Sequence, residues 1–197
     1  MSALAVLMIA GSAGLLGAAV VGWAAGERAR RAGLGVAACA SLVLAAAGVI
    51  AVFGERLVWR PFSWFALGTG GIAVDNLAGL FLIITGLVSF PLFVATRRRG
   101  PRSAHALRPL LVLCVVAVIT VDNVFEFLIV YELTVVLIYA LISVRYDDPR
   151  AQRAAALTLT LAKLGGGAVL AGMTLLAVKA GSFSFEQLAH SGPLTAP

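Results

Sequence analysis

Charged side chains are scarce in this sequence. Only 12% of its 197 residues are Asp, Glu, Lys or Arg, whereas 61% are hydrophobic, and the mean hydropathy is +1.01. A soluble domain of this length cannot bury so much apolar surface, so lipid must be the solvent for most of the chain. The low charge therefore excludes a soluble globular fold and predicts an integral membrane protein.

Cysteine is also scarce, and common catalytic motifs are missing. Cys39 and Cys114 both lie inside apolar stretches, where we interpret them as small hydrophobic residues rather than as a disulfide or a metal site. The sequence contains no nucleotide-binding loop and no evident combination of a nucleophile with a base. No metal, nucleotide or other cofactor is therefore expected in this chain.

Long runs without ionisable side chains predict the membrane spans. Residues 1–26, 32–54 and 76–96 contain no charge, and three further apolar stretches follow. A helix rises about 1.5 Å per residue, so about 20 residues cross a hydrocarbon core of about 30 Å. We predict one all-α membrane domain over residues 1–197, with six transmembrane helices at about 3–25, 32–54, 75–96, 106–121, 124–144 and 154–178.

The segment between the second and third predicted helices has a different pattern. Residues 57–65 are rich in β-prone and aromatic side chains, residues 68–71 are three glycines and a threonine, and residues 72–74 are apolar again. This order predicts a short β-hairpin that is interrupted at Pro61. Its Trp and Phe side chains suit the headgroup level of the outer surface.

The net charge of +6 comes from arginine clusters that lie between alternate spans. The clusters are Arg28, Arg30 and Arg31, then Arg97, Arg98, Arg99 and Arg102, then Arg145, Arg150 and Arg153. Such an alternation is typical of cytoplasmic loops, so we predict a multi-pass protein of the inner (cytoplasmic) membrane with its N-terminus outside. The clusters lack interleaved aromatic residues, so nucleic acid is not expected as a partner.

Two charged residues lie deep inside predicted spans. Glu132 is near the middle of the fifth helix, and Lys163 lies on the sixth. Counted from the basic residues at the inner ends, their depths differ by about one helical turn, so the two side chains are expected within reach of each other. Charges in a membrane are costly and commonly functional, which makes Glu132 and Lys163 our proton-relay candidates. A static ion pair or a lysine that snorkels to the interface remains the alternative.

Four other polar residues are accessory candidates. Glu126 lies one turn inside the outer edge, and Asp75 opens the third helix, where capping the backbone already explains it. Tyr131 and Thr134 flank Glu132 and either hydrogen-bond to it or pack between helices. Asp122 and Asn123 are interpreted as a tight turn between the fourth and fifth helices.

Small residues predict close helix packing. Gly22 and Gly26 have the four-residue spacing that favours helix contact, and residues 165–167 are three consecutive glycines beside Lys163. We interpret them as packing positions, with a local loosening of the sixth helix as the alternative.

An ordered set of motifs resembles a known family. Residues 74–81 (VDNLAGLF) resemble the start of the third helix in antiporter-like membrane subunits of complex I, Mrp antiporters and energy-converting hydrogenases. Residues 122–133 resemble their "DN…F…WE" segment, with Tyr131 where the family usually has Trp. Residues 151–185 resemble their sixth helix and the segment after it. The core around Lys163 is closest to the hydrogenase-4 component B and formate hydrogenlyase branch.

The resemblance implies a role for individual residues. Glu132 matches the family's proton-channel glutamate on helix five, Asp75 the acidic start of helix three, and Lys163 a variable polar position on helix six. It further implies an N-terminal portion of a larger antiporter-like fold, since the family's subunits continue with further helices. No redox catalysis is expected in this chain, because electrons move in partner proteins.

The sequence thus predicts a proton-translocating membrane subunit of a hydrogenase-4-like or NADH:quinone oxidoreductase-like complex. Its expected partners are the lipid bilayer and other membrane subunits. Either a separate chain supplies the remaining helices, or the sequence is a fragment or a degenerate paralogue. Two alternatives stay open at this point. One is a non-conducting membrane scaffold, and the other is a part of an Mrp-type cation/proton antiporter.

Overall fold

A computed structural model describes residues 2–63, 69–96 and 101–190 of the chain. These residues form seven helices and two strands: α1 Ala3–Ala24, α2 Glu27–Val52, β1 Leu57–Ser63, β2 Thr69–Val74, α3 Asn76–Thr96, α4 Arg102–Thr120, α5 Val124–Ser143, α6 Pro149–Ala180 and α7 Phe185–His190. The aromatic residues 64–65, predicted as part of the hairpin, and the arginines at 97–99 lie outside the described residues.

Helices α1 to α6 are long and apolar enough to cross a membrane. Between α2 and α3 the two strands form a small antiparallel sheet. The prediction of an all-α, multi-pass membrane protein with a short hairpin is therefore confirmed. The hairpin register shifts between Trp59 and Phe62, on either side of Pro61, which has no N–H to donate to the neighbouring strand.

Helix α4 begins at Arg102, four residues before the predicted apolar stretch, and two other helices extend beyond theirs at polar end signals. Helix α2 begins at Glu27, which favours the positive helix end and pairs with Arg31 one turn later. Helix α6 begins after Asp148, whose side chain accepts a hydrogen bond from the Arg150 N–H at 2.9 Å. It ends at Gly181 in a left-handed conformation (φ 67°) that suits glycine. Polar end signals thus lengthen both helices beyond their membrane segments.

Close contacts between small residues join α1, α2, α3 and α4. A Cβ added at Gly48 would come within 2.5 Å of the Gly79 oxygen, and one added at Gly22 within 2.7 Å of the His105 oxygen. The predicted close contact at Gly22 is therefore confirmed, whereas Gly26 has open space around it, because it precedes α2 as its N-cap. Leucines such as Leu15, Leu34 and Leu82 fill the core between these helices.

Helices α5 and α6 form a pair at the edge of this bundle. Few of their residues are buried among the described residues: Val124, Val135 and Leu137 on α5, and Ala155, Gly166 and Ala177 on α6. Large apolar side chains of α6 are exposed instead: Leu157, Leu161, Leu164, Leu170, Leu175 and Val178. The second half of the chain therefore presents a broad apolar surface to whatever surrounds it.

Main-chain hydrogen bonds link three segments at one end of the bundle. The N–H of Asp122, in the turn between α4 and α5, donates to the Gly71 oxygen of β2 at 3.1 Å. The N–H of Val124 donates to the Phe183 oxygen beyond α6 at 2.8 Å. The hairpin, the turn and the segment after α6 therefore form one junction, and the segments that join α1 to α2 and α5 to α6 lie at the opposite end.

Candidate functional site

Glu132 and Lys163 meet across the interface of α5 and α6. The ammonium of Lys163 donates a hydrogen bond to the Glu132 carboxylate, and the two groups form an ion pair. The contact predicted from matched depth is therefore present. The side chains are 43% and 51% exposed, so this chain alone leaves about half of the pair uncovered.

A glycine allows the two helices to approach at this point. A Cβ added at Gly166 would lie 3.1 Å from the Tyr131 ring and 3.3 Å from the Glu132 carboxylate. Gly165 and Gly167 have open space instead, so among the three glycines only Gly166 is a close-packing position. Its lack of a side chain lets α6 lie against the acidic side of α5.

The residues beside Glu132 pack or bond locally. The Thr134 hydroxyl donates to the Val130 oxygen of its own helix at 2.8 Å. The Tyr131 ring stacks on Phe127, with ring centroids 6.1 Å apart. Of the two roles considered for Thr134 and Tyr131, these contacts favour packing over a hydrogen bond to the acid.

Glu126 and Asp75 lie at the junction end and bind backbone groups. Glu126 accepts a hydrogen bond from the Gly71 N–H of β2 at 2.9 Å. Asp75 accepts one from the Ala78 N–H at 2.8 Å and thereby caps the start of α3. Both carboxylates stabilise the region where the hairpin meets the helices. Neither belongs to the Glu132–Lys163 pair.

A charged group at the junction was not predicted as a site. The Arg60 guanidinium of β1 pairs with Asp122 in the turn, and its Nη2 atom donates to Glu186 of α7 at 2.7 Å. These hydrogen bonds, to Glu186 first and Asp122 second, raise the pKa of Arg60 above its ordinary value. The sequence feature that could have indicated this site is an arginine in an aromatic hairpin with no other charge. Its partners, however, are distant in sequence.

The Glu132–Lys163 pair is chemically suited to hold and pass a proton. The carboxylate and the ammonium share a hydrogen bond, so a proton can move between them to give a carboxylic acid and a neutral amine. Both forms of the pair have no net charge, which limits the cost of the site inside a membrane. The arrangement therefore supports charge transfer without a metal or a nucleophile.

Comparison with known sequences points to one group of membrane proteins. Residues 121–194 match the family described as the transmembrane region of NADH:quinone oxidoreductase and Mrp antiporters. The chain is 31% identical over 137 residues to the NAD(P)H-quinone oxidoreductase chain 4 1 of Synechococcus elongatus, covering 67% of this chain and 24% of that protein. It is 28% identical over 147 residues to an uncharacterised protein of Mycobacterium tuberculosis, covering 72% and 23% respectively.

Solved structures have the same fold. The chain superposes on the membrane-bound sulfane sulfur reductase, an archaeal respiratory membrane complex, with a TM-score of 0.72 and 19% identity, covering 95% of this chain and 39% of that one. For the Mrp complex from Dietzia sp. the TM-score is 0.68 at 19% identity, covering 93% and 20%. The chain thus spans about a quarter of the length of the curated relatives it matches. The resemblance predicted from the motifs is confirmed.

Proposed function

We propose that this chain, a relative of the antiporter-like membrane subunits of NADH:quinone oxidoreductase and Mrp complexes, translocates protons as one subunit of a larger membrane complex. The observation that carries the proposal is the Glu132–Lys163 ion pair between two membrane-spanning helices. A carboxylate at such a depth costs several kcal/mol unless it is paired, hydrated or protonated. Proton uptake by sealed vesicles that contain the whole complex tests it.

The proposed step is a proton exchange within the pair. The Lys163 ammonium first releases its proton to the far side, which leaves a neutral amine beside the carboxylate. A proton that then reaches Glu132 gives the carboxylic acid, and the amine accepts that proton, which restores the carboxylate and the ammonium and completes one transfer. Because Lys163 is already hydrogen-bonded to Glu132, the exchange needs little movement of either side chain.

The uncovered half of the pair supports a partner in the membrane. Hydrocarbon is a poor solvent for the exposed part of Glu132 and Lys163. Further helices, supplied by a separate membrane subunit or by more chain, would cover this face and line the path of the proton. Their side chains would also pack on the exposed leucines of α6.

The hydrogenase-4-like branch is our finer proposal, and it rests on the residues around Lys163. An Mrp-type cation/proton antiporter is the second candidate, favoured by the superposition on an Mrp complex. A non-conducting scaffold is the third, in which the Glu132–Lys163 contact is a static ion pair. Transport that depends on Glu132 separates the first two from the third, and sodium dependence of that transport separates the first from the second.

We expect the N-terminus and the hairpin to lie outside the inner membrane, because the arginine-rich ends favour the cytoplasm. In a background in which Cys39 and Cys114 are replaced by Ala, Ser63→Cys on the hairpin should react with an impermeant thiol reagent in intact cells. Asp147→Cys, which is exposed at the arginine-rich end, should react only after the cells are opened. The opposite labelling pattern would reverse this topology.

We expect the chain to co-purify with other membrane subunits in mild detergent, because the exposed face of α5 and α6 needs a cover. Replacing Leu161 and Leu164 by Ser on that face should weaken this association, whereas replacing Leu42 and Val49 on the exposed side of α2 should not. The measurement is the subunit ratio of the purified complex. Recovery of the wild type as a stable monomer from its native membrane would argue against a complex.

A further inference from the structure

A cavity opens at the arginine-rich end of the bundle, opposite the hairpin. Its volume is about 760 Å³, and it is bounded by the end of α1, the start of α4 and the end of α5. Sites for small ligands commonly measure roughly 300–1,000 Å³. The cavity is therefore large enough for the headgroup and glycerol of a lipid, and it is separate from the Glu132–Lys163 pair.

One wall of the cavity carries donors for an anion. The Nη2 atom of Arg102 donates to the Trp23 oxygen at 3.2 Å, which fixes the guanidinium beside the end of α1. Arg102 also begins α4, a helix of 19 residues with no side-chain cap and no acidic residue in its first turn. The positive end of this helix dipole therefore reinforces the arginine.

The opposite wall contains a hydroxyl group that needs a partner. The Oγ atom of Ser143 near the end of α5 is buried and makes no hydrogen bond within the described part of the chain. A buried polar atom without a partner costs about 1–3 kcal/mol, so such atoms are normally satisfied by a ligand or water. A rotation about the Cα–Cβ bond of Ser143 would bring this hydroxyl group to the cavity, where a phosphate oxygen would accept its hydrogen bond.

The remaining lining fits the amphipathic shape of a lipid. Leu107, Ala140 and Val144 provide apolar walls. Trp23 and Tyr146, which are 65% and 75% exposed, flank the cavity with rings of the kind that lie at membrane interfaces. The phosphate of a lipid would bind the polar groups of the cavity, and its hydrocarbon portion would pack on the apolar walls.

We propose that this cavity binds the phosphate of an anionic phospholipid, with Arg102 as its principal partner. The choice of an anionic lipid follows from the basic side chains at the same end of the bundle, since basic pockets between membrane helices attract such headgroups. Those in the described residues are Arg28, Arg30, Arg31, Arg145, Arg150 and Arg153. Of the acids at this end, Glu27 pairs with Arg31 and Asp148 caps α6, and Asp147, which is exposed beside Tyr146, is outnumbered by the arginines.

The test is photocrosslinking of the complex from its native membrane with phosphatidylglycerol that carries a photoreactive group near its phosphate. Crosslinks should map to peptides that contain residues 101–107 and 140–146. Unlabelled phosphatidylglycerol should compete, whereas phosphatidylcholine and millimolar inorganic phosphate should not. Equal competition by inorganic phosphate would identify a free-anion site, and equal competition by phosphatidylcholine would remove the need for anionic lipid; either result overturns the proposal.

Three variants make the test specific to the cavity. Arg102→Gln should lower the crosslink yield at least about tenfold, the change that corresponds to about 1.4 kcal/mol. Ser143→Ala keeps the helix and should lower the yield by a smaller factor. Arg56→Gln, which changes an exposed arginine at the hairpin end of the bundle and outside the cavity lining, should leave the yield unchanged. A wild-type yield with folded Arg102→Gln, or an equal loss with Arg56→Gln, would contradict the proposal.

Discussion

Replacing Glu132 with Gln is expected to reduce proton uptake to the background leak of the vesicles while the complex stays assembled. Glutamine keeps the size of the side chain and its capacity to accept a hydrogen bond from Lys163, but it cannot bind and release a proton. The proposed exchange then has no acid. The measurement is uptake by sealed vesicles that contain the whole complex, with subunit ratios checked in each preparation.

A matched control lies on the same helix. Glu126→Gln makes the same chemical change, and its amide oxygen can still accept the hydrogen bond from the Gly71 N–H. We expect this variant to retain most of the uptake, because Glu126 lies at the junction and not at the pair. Full pumping by Glu132→Gln would remove the relay and leave the scaffold as the better account.

Lys163→Ala distinguishes two roles of the lysine. If the ammonium exchanges a proton with Glu132, its removal should abolish uptake as completely as Glu132→Gln does. If it only neutralises the carboxylate, its removal should leave a partial rate of uptake, because Glu132 can still bind and release a proton. The direct exchange that we propose requires the first result.

Replacing Gly86 with Val is expected to destabilise the bundle strongly. Even a Cβ at this position on α3 would lie 2.4 Å from the Ser41 oxygen and 2.8 Å from the Ala45 Cβ on α2. Backbone on the facing helix cannot move aside cheaply, so α2 and α3 would have to separate. Overpacking typically costs about 1–3 kcal/mol, and the branched side chain here meets main chain, so the upper part of that range or more is expected.

The control for this prediction is Gly17→Val on α1. No heavy atom lies within 4 Å of a Cβ built there, so the same substitution meets open space. The measurement is the temperature at which half of the detergent-solubilised protein loses its size-exclusion peak. A Gly86→Val protein as stable as Gly17→Val would show that the close approach of α2 and α3 is not needed.

The membrane helices were predictable because each one contains a long apolar stretch with few charged side chains. The helix ends were less so. Glu27 and Arg31 looked like parts of a polar loop, yet they extend α2 because they are one turn apart and pair with each other. Polar residues at a helix end can therefore be helical although the hydropathy pattern does not assign them to the helix.

The central pair was predictable because depth along neighbouring antiparallel helices can be counted. The contact between Glu132 and Lys163 joins residues 31 positions apart on consecutive elements. The Arg60 contacts join residues 62 and 126 positions apart, through a hairpin and a segment beyond the last span. Their partners depend on how three loops meet in space, and nothing in the local sequence specifies that meeting.

The junction also bears on how such chains diverge through evolution. Three of its links run from backbone to backbone: Asp122 to Gly71, Val124 to Phe183, and Phe185 to Asp122. A main-chain hydrogen bond is available to every residue except proline as donor, so most substitutions in these segments leave it unchanged. Side chains in the three segments can therefore change while the backbone arrangement is kept. Insertions, which shift the hydrogen-bonded groups, and prolines, which lack the N–H donor, should be selected against more strongly.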